Sequence, residues 1–219
     1  MPEDFGLHVV VVGLGAIGSA FVALLARVPW VARVTLVDFD RYTEANLRSQ
    51  LIYRCDVGEL KAAVQARRMR AENPRLEVCA IPDRVENVPM GRLRGDLVIG
   101  CTDTKVSRQF LSELAFRWGV PFLDSGVLAA QQLARASVFV PGAGAPCAQC
   151  AWDDGDYALL EMEYPCGANV APTRASDTAP VLAALAAGLL ANECEKLVAA
   201  GGARTQAGYQ ITLDAGTAE

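Results

Sequence analysis

Histidine is almost missing from this chain: His8 is the only one. Chemistry that needs more than one histidine is therefore excluded, and His8, at the start of an apolar run, reads as structural. Long apolar runs are also lacking. No stretch approaches the roughly 20 residues that a membrane-spanning helix needs. The opening MPEDFGLH is short and acidic, unlike a secretory signal. The expected location is the cytoplasm, with no membrane partner. Positive charge is not in excess: 20 Lys and Arg against 25 Asp and Glu leave a net charge of −5, so no broad basic field points to nucleic acid. Internal repeats and low-complexity tracts are absent. Cysteine is not scarce, but its seven copies are odd in number and scattered. In a cytoplasmic chain they read as thiols or metal ligands before disulfides.

What is present is apolar: 52% of the 219 residues, enough for a sizeable core in one large domain. The four valines of Val9 to Val12 lead into GLGAIG, which has the spacing G-x-G-x-x-G. Gly13 allows a tight turn, Gly15 lets backbone approach a phosphate, and Gly18 lets the next helix pack closely. The spacing predicts strands over His8 to Val12, Arg33 to Val37, Leu76 to Ile81 and Asp96 to Cys101, with a fifth starting at Pro121 to Leu123. Helices are expected over Gly18 to Arg27, Val57 to Asn73 and Lys105 to Trp118. That order argues for an α/β fold with a Rossmann-like, doubly wound and mostly parallel sheet. Beyond it come an alternating antiparallel strand (Leu133 to Val140), a turn-rich loop (PGAGAPCAQC) and an aperiodic crossover (Ala151 to Arg174). A helix over Ala179 to Ala200, capped from Ser176 to Thr178, and a last strand over Tyr209 to Leu213 complete the chain. The reading is a single domain with a nucleotide-binding half at 1–126 and an antiparallel extension at 127–219.

Several side chains stand where such sheets bind ligands. Asp38 ends the second strand, the usual place for an acid that holds ribose hydroxyls; Asp40 is either a site residue or a loop cap. The polar stretch Arg41 to Asp56 has no period, and long irregular segments in compact domains are usually functional. If it is extended, Asn46, Arg48 and Gln50 share one face. The following helix shows a basic outer face of Lys61, Arg67, Arg68 and Arg70, and Lys61 is either a surface lysine or a site cation. Asp103 is either a cap for the helix at Lys105 or a ligand for Mg²⁺, which prefers one or two carboxylates plus phosphate oxygens. Cys55, Cys79 and Cys101 lie in or beside apolar runs and read as small core residues.

Taken together, G-x-G-x-x-G, D-x-D, N-L-x-x-Q, D-V-G-x-x-K and C-T-D, in this order, resemble the ThiF/MoeB-type adenylating enzymes, relatives of the ubiquitin-activating enzymes. The resemblance runs from about His8 to Gly201. Its most specific pieces are Asn46, Gln50, DVGELK, Asp103 with Arg108, and P-C-x-x-C at Pro146 to Cys150. It implies an ATP site. Gly13, Gly15 and Gly18 would lie beside the nucleotide, with Asp38 on the ribose and Asp40 next to it. Asn46, Arg48, Gln50 and Lys61 would hold phosphates, and Asp103 would bind Mg²⁺. It also implies the reaction: adenylation of the C-terminal carboxylate of a ubiquitin-like or sulfur-carrier protein with a Gly-terminated tail. Cys166 would be placed to take the activated chain as a thioester. A homodimer is expected as well, since the family is typically dimeric and the helix over Ala179 to Ala200 is rich in apolar surface.

Three departures accompany the resemblance. Related enzymes usually read N-L-x-R-Q, whereas here Ser49 precedes Gln50 and the arginine is Arg48. The chain starts almost at its first strand, so the arginine that relatives carry in an N-terminal arm is expected from a partner or not at all. Relatives hold Zn²⁺ with two CxxC pairs. Cys147 and Cys150 match the first and the second is not present, which leaves bound Zn²⁺ and a metal-free dithiol as alternatives. The rival functions are an NAD-dependent Rossmann oxidoreductase and a non-catalytic scaffold.

Overall fold

The valine run shows how the layers arise. Successive side chains of a strand point to opposite faces. Val9 and Val11 enter one core with helices on one side of the sheet, while Val10 and Val12 enter a second core on the other side. A strand apolar on both faces belongs in the middle of a covered parallel sheet. In the computed structural model, which describes residues 6–163, 180–199 and 208–215, that strand, β1 (Leu7–Val12), lies between β2 (Val31–Val37) and β4 (Leu97–Gly100).

The sheet has seven strands in the order β3-β2-β1-β4-β5-β6-β7. β3 (Glu77–Ile81) and β5 (Phe122–Leu128) complete a parallel block of five; β6 (Leu133–Phe139) and β7 (Gly208–Asp214) add two antiparallel strands. Helices α1 (Ala16–Leu25), α2 (Lys61–Glu72) and α5 (Pro180–Ala199) cover one face, and α3 (Lys105–Trp118) covers the other. The chain moves outward from β1 to β3, then returns to start again at β4. Ligands of such sheets bind at this reversal, at the C-terminal ends of the strands.

Two expectations need correction. Ala151 to Arg174 contains α4 (Asp154–Glu163) rather than irregular chain throughout. Its start is made by end chemistry, not by apolar periodicity: Asp156 N donates to Asp153 Oδ1 at 2.9 Å and Asp153 N to Asp156 Oδ2 at 3.3 Å. The second correction is the segment from Thr43, which is not extended but forms a 3₁₀ helix over Glu44–Arg48. The helix expected over Ala179 to Ala200 is α5, which packs on α1, β5 and β6 and buries Leu182, Ala186, Leu190 and Leu197. The cap expected at Ser176 to Thr178 lies outside the described residues.

Candidate active site

The glycine turn follows β1. Gly13 has φ +89°, and a Cβ there would lie 2.5 Å from the Cys101 carbonyl oxygen, so turn and close approach both require glycine. A Cβ on Gly18 would sit 1.9 Å from the Gly13 carbonyl oxygen, which fixes how closely α1 approaches β1. Gly15 differs: a Cβ there would meet only Gln50 Nε2, at 4.0 Å, so open space lies over it. The N-terminus of α1 has no side-chain cap and no acidic residue in its first turn. Its unspent N–H groups and positive dipole end suit an anion.

Asp38 supports this turn from the end of β2. Its Oδ2 accepts from Leu14 N at 2.6 Å and its Oδ1 from Asp40 N at 2.8 Å. Burial pushes its carboxyl above the usual aspartate range, against the pull of the Lys61 charge. A carboxylate offers about four lone-pair sites, so two remain for ribose hydroxyls. Lys61 is not a surface lysine. It is buried as the first residue of α2, its Nζ 3.0 Å from Asp40 Oδ2 and 5.8 Å from the Tyr42 ring centroid. Asp40 is therefore the partner of Lys61, half-exposed beside a desolvated cation.

The 3₁₀ turn separates the three residues expected on one face. The Asn46 carboxamide oxygen accepts from Thr43 N at 2.9 Å, so it closes its own turn. Arg48 and Gln50, by contrast, line one cavity of about 250 Å³ with Ala16, Ala20, Pro180 and Ala184. Gln50 Oε1 is buried there without a hydrogen-bond partner, and Arg48 is exposed and unpaired among the described residues. The rest of this segment is held by the arginines of α2, which are not a free basic face. Buried Asp56 accepts from Tyr53 N at 2.7 Å, from Arg67 Nη2 at 3.1 Å and from Arg68, and Arg68 also donates to the Leu51 carbonyl. Arg70 donates to the Val78 carbonyl.

β4 ends beside the same turn. Thr102 Oγ1 is buried and, like Gln50 Oε1, has no hydrogen-bond partner among the described residues. Thr104 caps α3 by accepting from Ser107 N at 3.2 Å, so Asp103 is not the cap. Asp103 is exposed and has no partner among the described residues. Arg108 braces this end from behind, donating to the carbonyls of Thr102 at 2.8 Å and Ser125 at 3.2 Å. Its Nε lies 3.3 Å from Asp124 Oδ1, and Arg135 Nη2 is 3.2 Å from Asp124 Oδ2. Sequence reading missed Asp124, Arg135 and Tyr42, and held Thr102 only as part of C-T-D. The one local signal was a large aromatic, Tyr42, inside a polar loop.

The cysteines divide. Cys147 and Cys150 Sγ atoms are 3.6 Å apart, but no group of three His, Cys, Asp or Glu side chains suited to a metal occurs among the described residues. Cys194 is buried in the core and cannot join them without unpacking α5. Two thiols alone are a poor tetrahedral Zn²⁺ site. Cys79 and Cys101 pack against the two cores as expected, and burial pushes the Cys101 thiol up to about 12. Cys55 does not: it is exposed on the 3₁₀ turn Arg54–Asp56. Cys166 lies outside the described residues. His8 shares a hydrogen bond with Thr35 Oγ1 at 2.8 Å, a structural role.

The model of the ThiF family matches residues 5–219. Among similar proteins, the sulfur carrier protein adenylyltransferase of Thermus thermophilus is 32% identical over 214 residues, covering 94% of this chain and 74% of the relative. The molybdopterin-synthase adenylyltransferase of Escherichia coli is 28% identical over 146 residues, 65% of this chain and 57% of the relative. Ubiquitin-like modifier-activating enzyme 5 of Dictyostelium discoideum is 25% identical, covering 95% and 57%. A crystal structure of E. coli MccB with ATP superposes with a TM-score of 0.73 at 20% identity, covering 95% of this chain and 60% of that one, which establishes the shared fold. The chain thus spans about three-fifths to three-quarters of the length of these proteins.

Proposed function

The chain belongs to the ThiF family, and from that premise we propose that it is an ATP-dependent adenylyltransferase acting on the C-terminal carboxylate of a ubiquitin-like or sulfur-carrier protein. The observation that carries this reading is the crevice at the start of α1: Gln50, whose Oε1 is buried without a hydrogen-bond partner among the described residues, lines it with Arg48, which has no partner there either, and Gly15 leaves open space beside Gln50. Thr102 Oγ1, just after β4, is likewise buried without a partner among the described residues, and Lys61, also buried, begins α2. Buried polar atoms are normally paired, so such orphans suit a polar ligand.

In the reaction, a carboxylate oxygen of the carrier protein attacks the α-phosphorus of ATP. A C–O–P mixed anhydride forms, the α–β phosphoanhydride bond breaks, and pyrophosphate leaves with its electron pair. Two anions must meet, so cations have to answer the charge on the phosphoryl oxygens. Lys61 and Arg48 supply that charge, the α1 N-terminus binds phosphate, and Asp38 takes the ribose hydroxyls. Mg²⁺, held by Asp103 and phosphate oxygens, would neutralise further charge when bound. The described residues complete no Zn²⁺ site. No helix among them is long and apolar enough to cross a membrane. A cytoplasmic homodimer, with transfer of the activated chain to Cys166, completes the proposal.

Mg·ATP should raise the melting temperature, because a ligand that binds only the native state stabilises it by mass action; NAD should not. Pyrophosphate exchange into ATP should appear only with a matching carrier protein. Stabilisation by NAD but not by ATP would favour the oxidoreductase, and ATP binding without exchange across carrier candidates would favour the scaffold.

A further inference from the structure

Leu14, between the first two glycines of the turn, has its backbone held on both sides. Its N–H is taken by Asp38, and its carbonyl accepts from the Tyr42 hydroxyl at 3.1 Å. The same hydroxyl accepts from Gln65 Nε2 at 2.7 Å. Only one assignment satisfies all three groups. Tyrosine has a single hydroxyl proton, and the Leu14 carbonyl can only accept, so Gln65 must turn its amide N–H toward the phenol. Tyr42 is 1% and Gln65 2% exposed, so water does not compete for these bonds. Burial also pushes the phenol upward, which keeps it a donor. The backbone of Tyr42 is fixed as well: its N–H donates to the Glu59 carbonyl at 3.0 Å, and its carbonyl accepts from Gly58 N at 2.8 Å. A continuous chain, from Gln65 on α2 through Tyr42 to Leu14, therefore joins the helix that begins at Lys61 to the turn that opens at Gly15.

We propose that Tyr42 is a positioning residue for the nucleotide: its hydroxyl, oriented by Gln65, sets the glycine turn and holds the α1 N-terminus in register with Lys61. The proposal rests on the ATP reading above for the identity of the nucleotide alone. With Asp38 holding the Leu14 N–H and Tyr42 its carbonyl, the two peptide planes that flank Leu14 are each held by one bond and cannot rotate freely. The N–H groups that follow Leu14 are then fixed in place before any ligand arrives, which removes an ordering cost from binding.

The test is equilibrium binding of Mg·ATP to the full chain by calorimetry, far below the melting temperature. Tyr42→Phe keeps the ring and removes the hydroxyl, leaving the Leu14 carbonyl and the Gln65 amide unpaired. The pair Tyr42→Phe with Gln65→Leu also removes the stranded amide, so the double variant should regain much of any lost stability. A purely structural tyrosine would then regain normal ATP affinity too. A positioning tyrosine would not, because Leu14 is still unheld. The expected result is a Kd about tenfold weaker in both variants. Should Tyr42→Phe alone fold poorly, the double variant carries the test. A loss below about threefold in either folded variant overturns the assignment while leaving the ATP reading intact. Absence of Mg·ATP binding by the unaltered protein would overturn both.

Discussion

Arg48 is the residue on which the reaction rate should depend most visibly. Lys61 is already partnered by Asp40 at 3.0 Å, and the other guanidinium groups near the site, Arg67 and Arg68, are engaged with Asp56. Arg48 is exposed, has no partner among the described residues, and shares a cavity with Gln50 beside the α1 N-terminus. A cation with nothing to hold contributes little to folding, so Arg48→Ala should change stability by less than about 0.5 kcal/mol. Its work should fall on charge that develops during adenylation. Loss of a preorganised charge-stabilising contact costs about 2–4 kcal/mol, so pyrophosphate exchange should slow by ~10²-fold or more while ATP still binds. Near-normal exchange in Arg48→Ala would move the role to Arg54, the neighbouring exposed arginine, or to a partner chain.

At the scale of elements, the strands, the glycine turn and the α3 helix with its terminal glycine were legible because their signals are local, whereas the cap of α3 is Thr104 rather than Asp103. Four consecutive β-branched valines bounded by a glycine turn favour a doubly buried strand, and Gly119, at φ 69°, ends α3 where it stands in the sequence. The site was legible as a set of residues rather than as an arrangement. Lys61 looked like part of a basic stripe, yet the helix turns it inward and points its arginines at the loop. The 3₁₀ turn at Glu44–Arg48 depends on Asn46 closing back on Thr43, a bond of three-residue span that no apolar period announces. Likewise α4 starts on reciprocal Asp153–Asp156 bonds. The loop geometry then depends on Asp56, whose side chain is 3% exposed and grips Tyr53 N, Arg67 and Arg68 together. Removing one member of a buried ionic network leaves the others uncompensated. Asp56→Ala should therefore cost about 2–3 kcal/mol, a fall in melting temperature of roughly 5–10 °C for a chain of this size. Arg54→Ala, beside it but without a partner among the described residues, should leave the melting temperature nearly unchanged. Equal effects from the two would mean that the loop is not held by this cluster.

At the scale of the whole molecule, the outer surface of the α1–α2–α5 layer is the side best suited to a second copy. The apolar content of α5 alone does not require one, since its Leu182, Leu190 and Leu197 are already buried against α1 and the sheet. The large apolar side chains exposed on this side are Leu24 at 42%, Leu51 at 54%, Tyr53 at 70% and, on α5 itself, Val181 at 67%. Leu51 and Tyr53 edge a groove of about 410 Å³ between α1 and α2, and Leu51 also lines the cavity that holds Arg48. A dimer formed over this side would cover the apolar side chains and bring a neighbouring chain close to the phosphate end of the crevice. The proposed homodimer should sediment at about 47 kDa, twice the 23.3 kDa of one chain. Tyr53→Glu combined with Leu51→Glu would place two charges in an apolar contact, where unpaired burial is costly. It should shift the protein toward monomer and leave the melting temperature of the isolated chain close to normal, because both positions are solvent-exposed within one chain. Sedimentation as a monomer at high micromolar concentration would reject the dimer. Dimerisation undisturbed by the two glutamates would place the contact on another face.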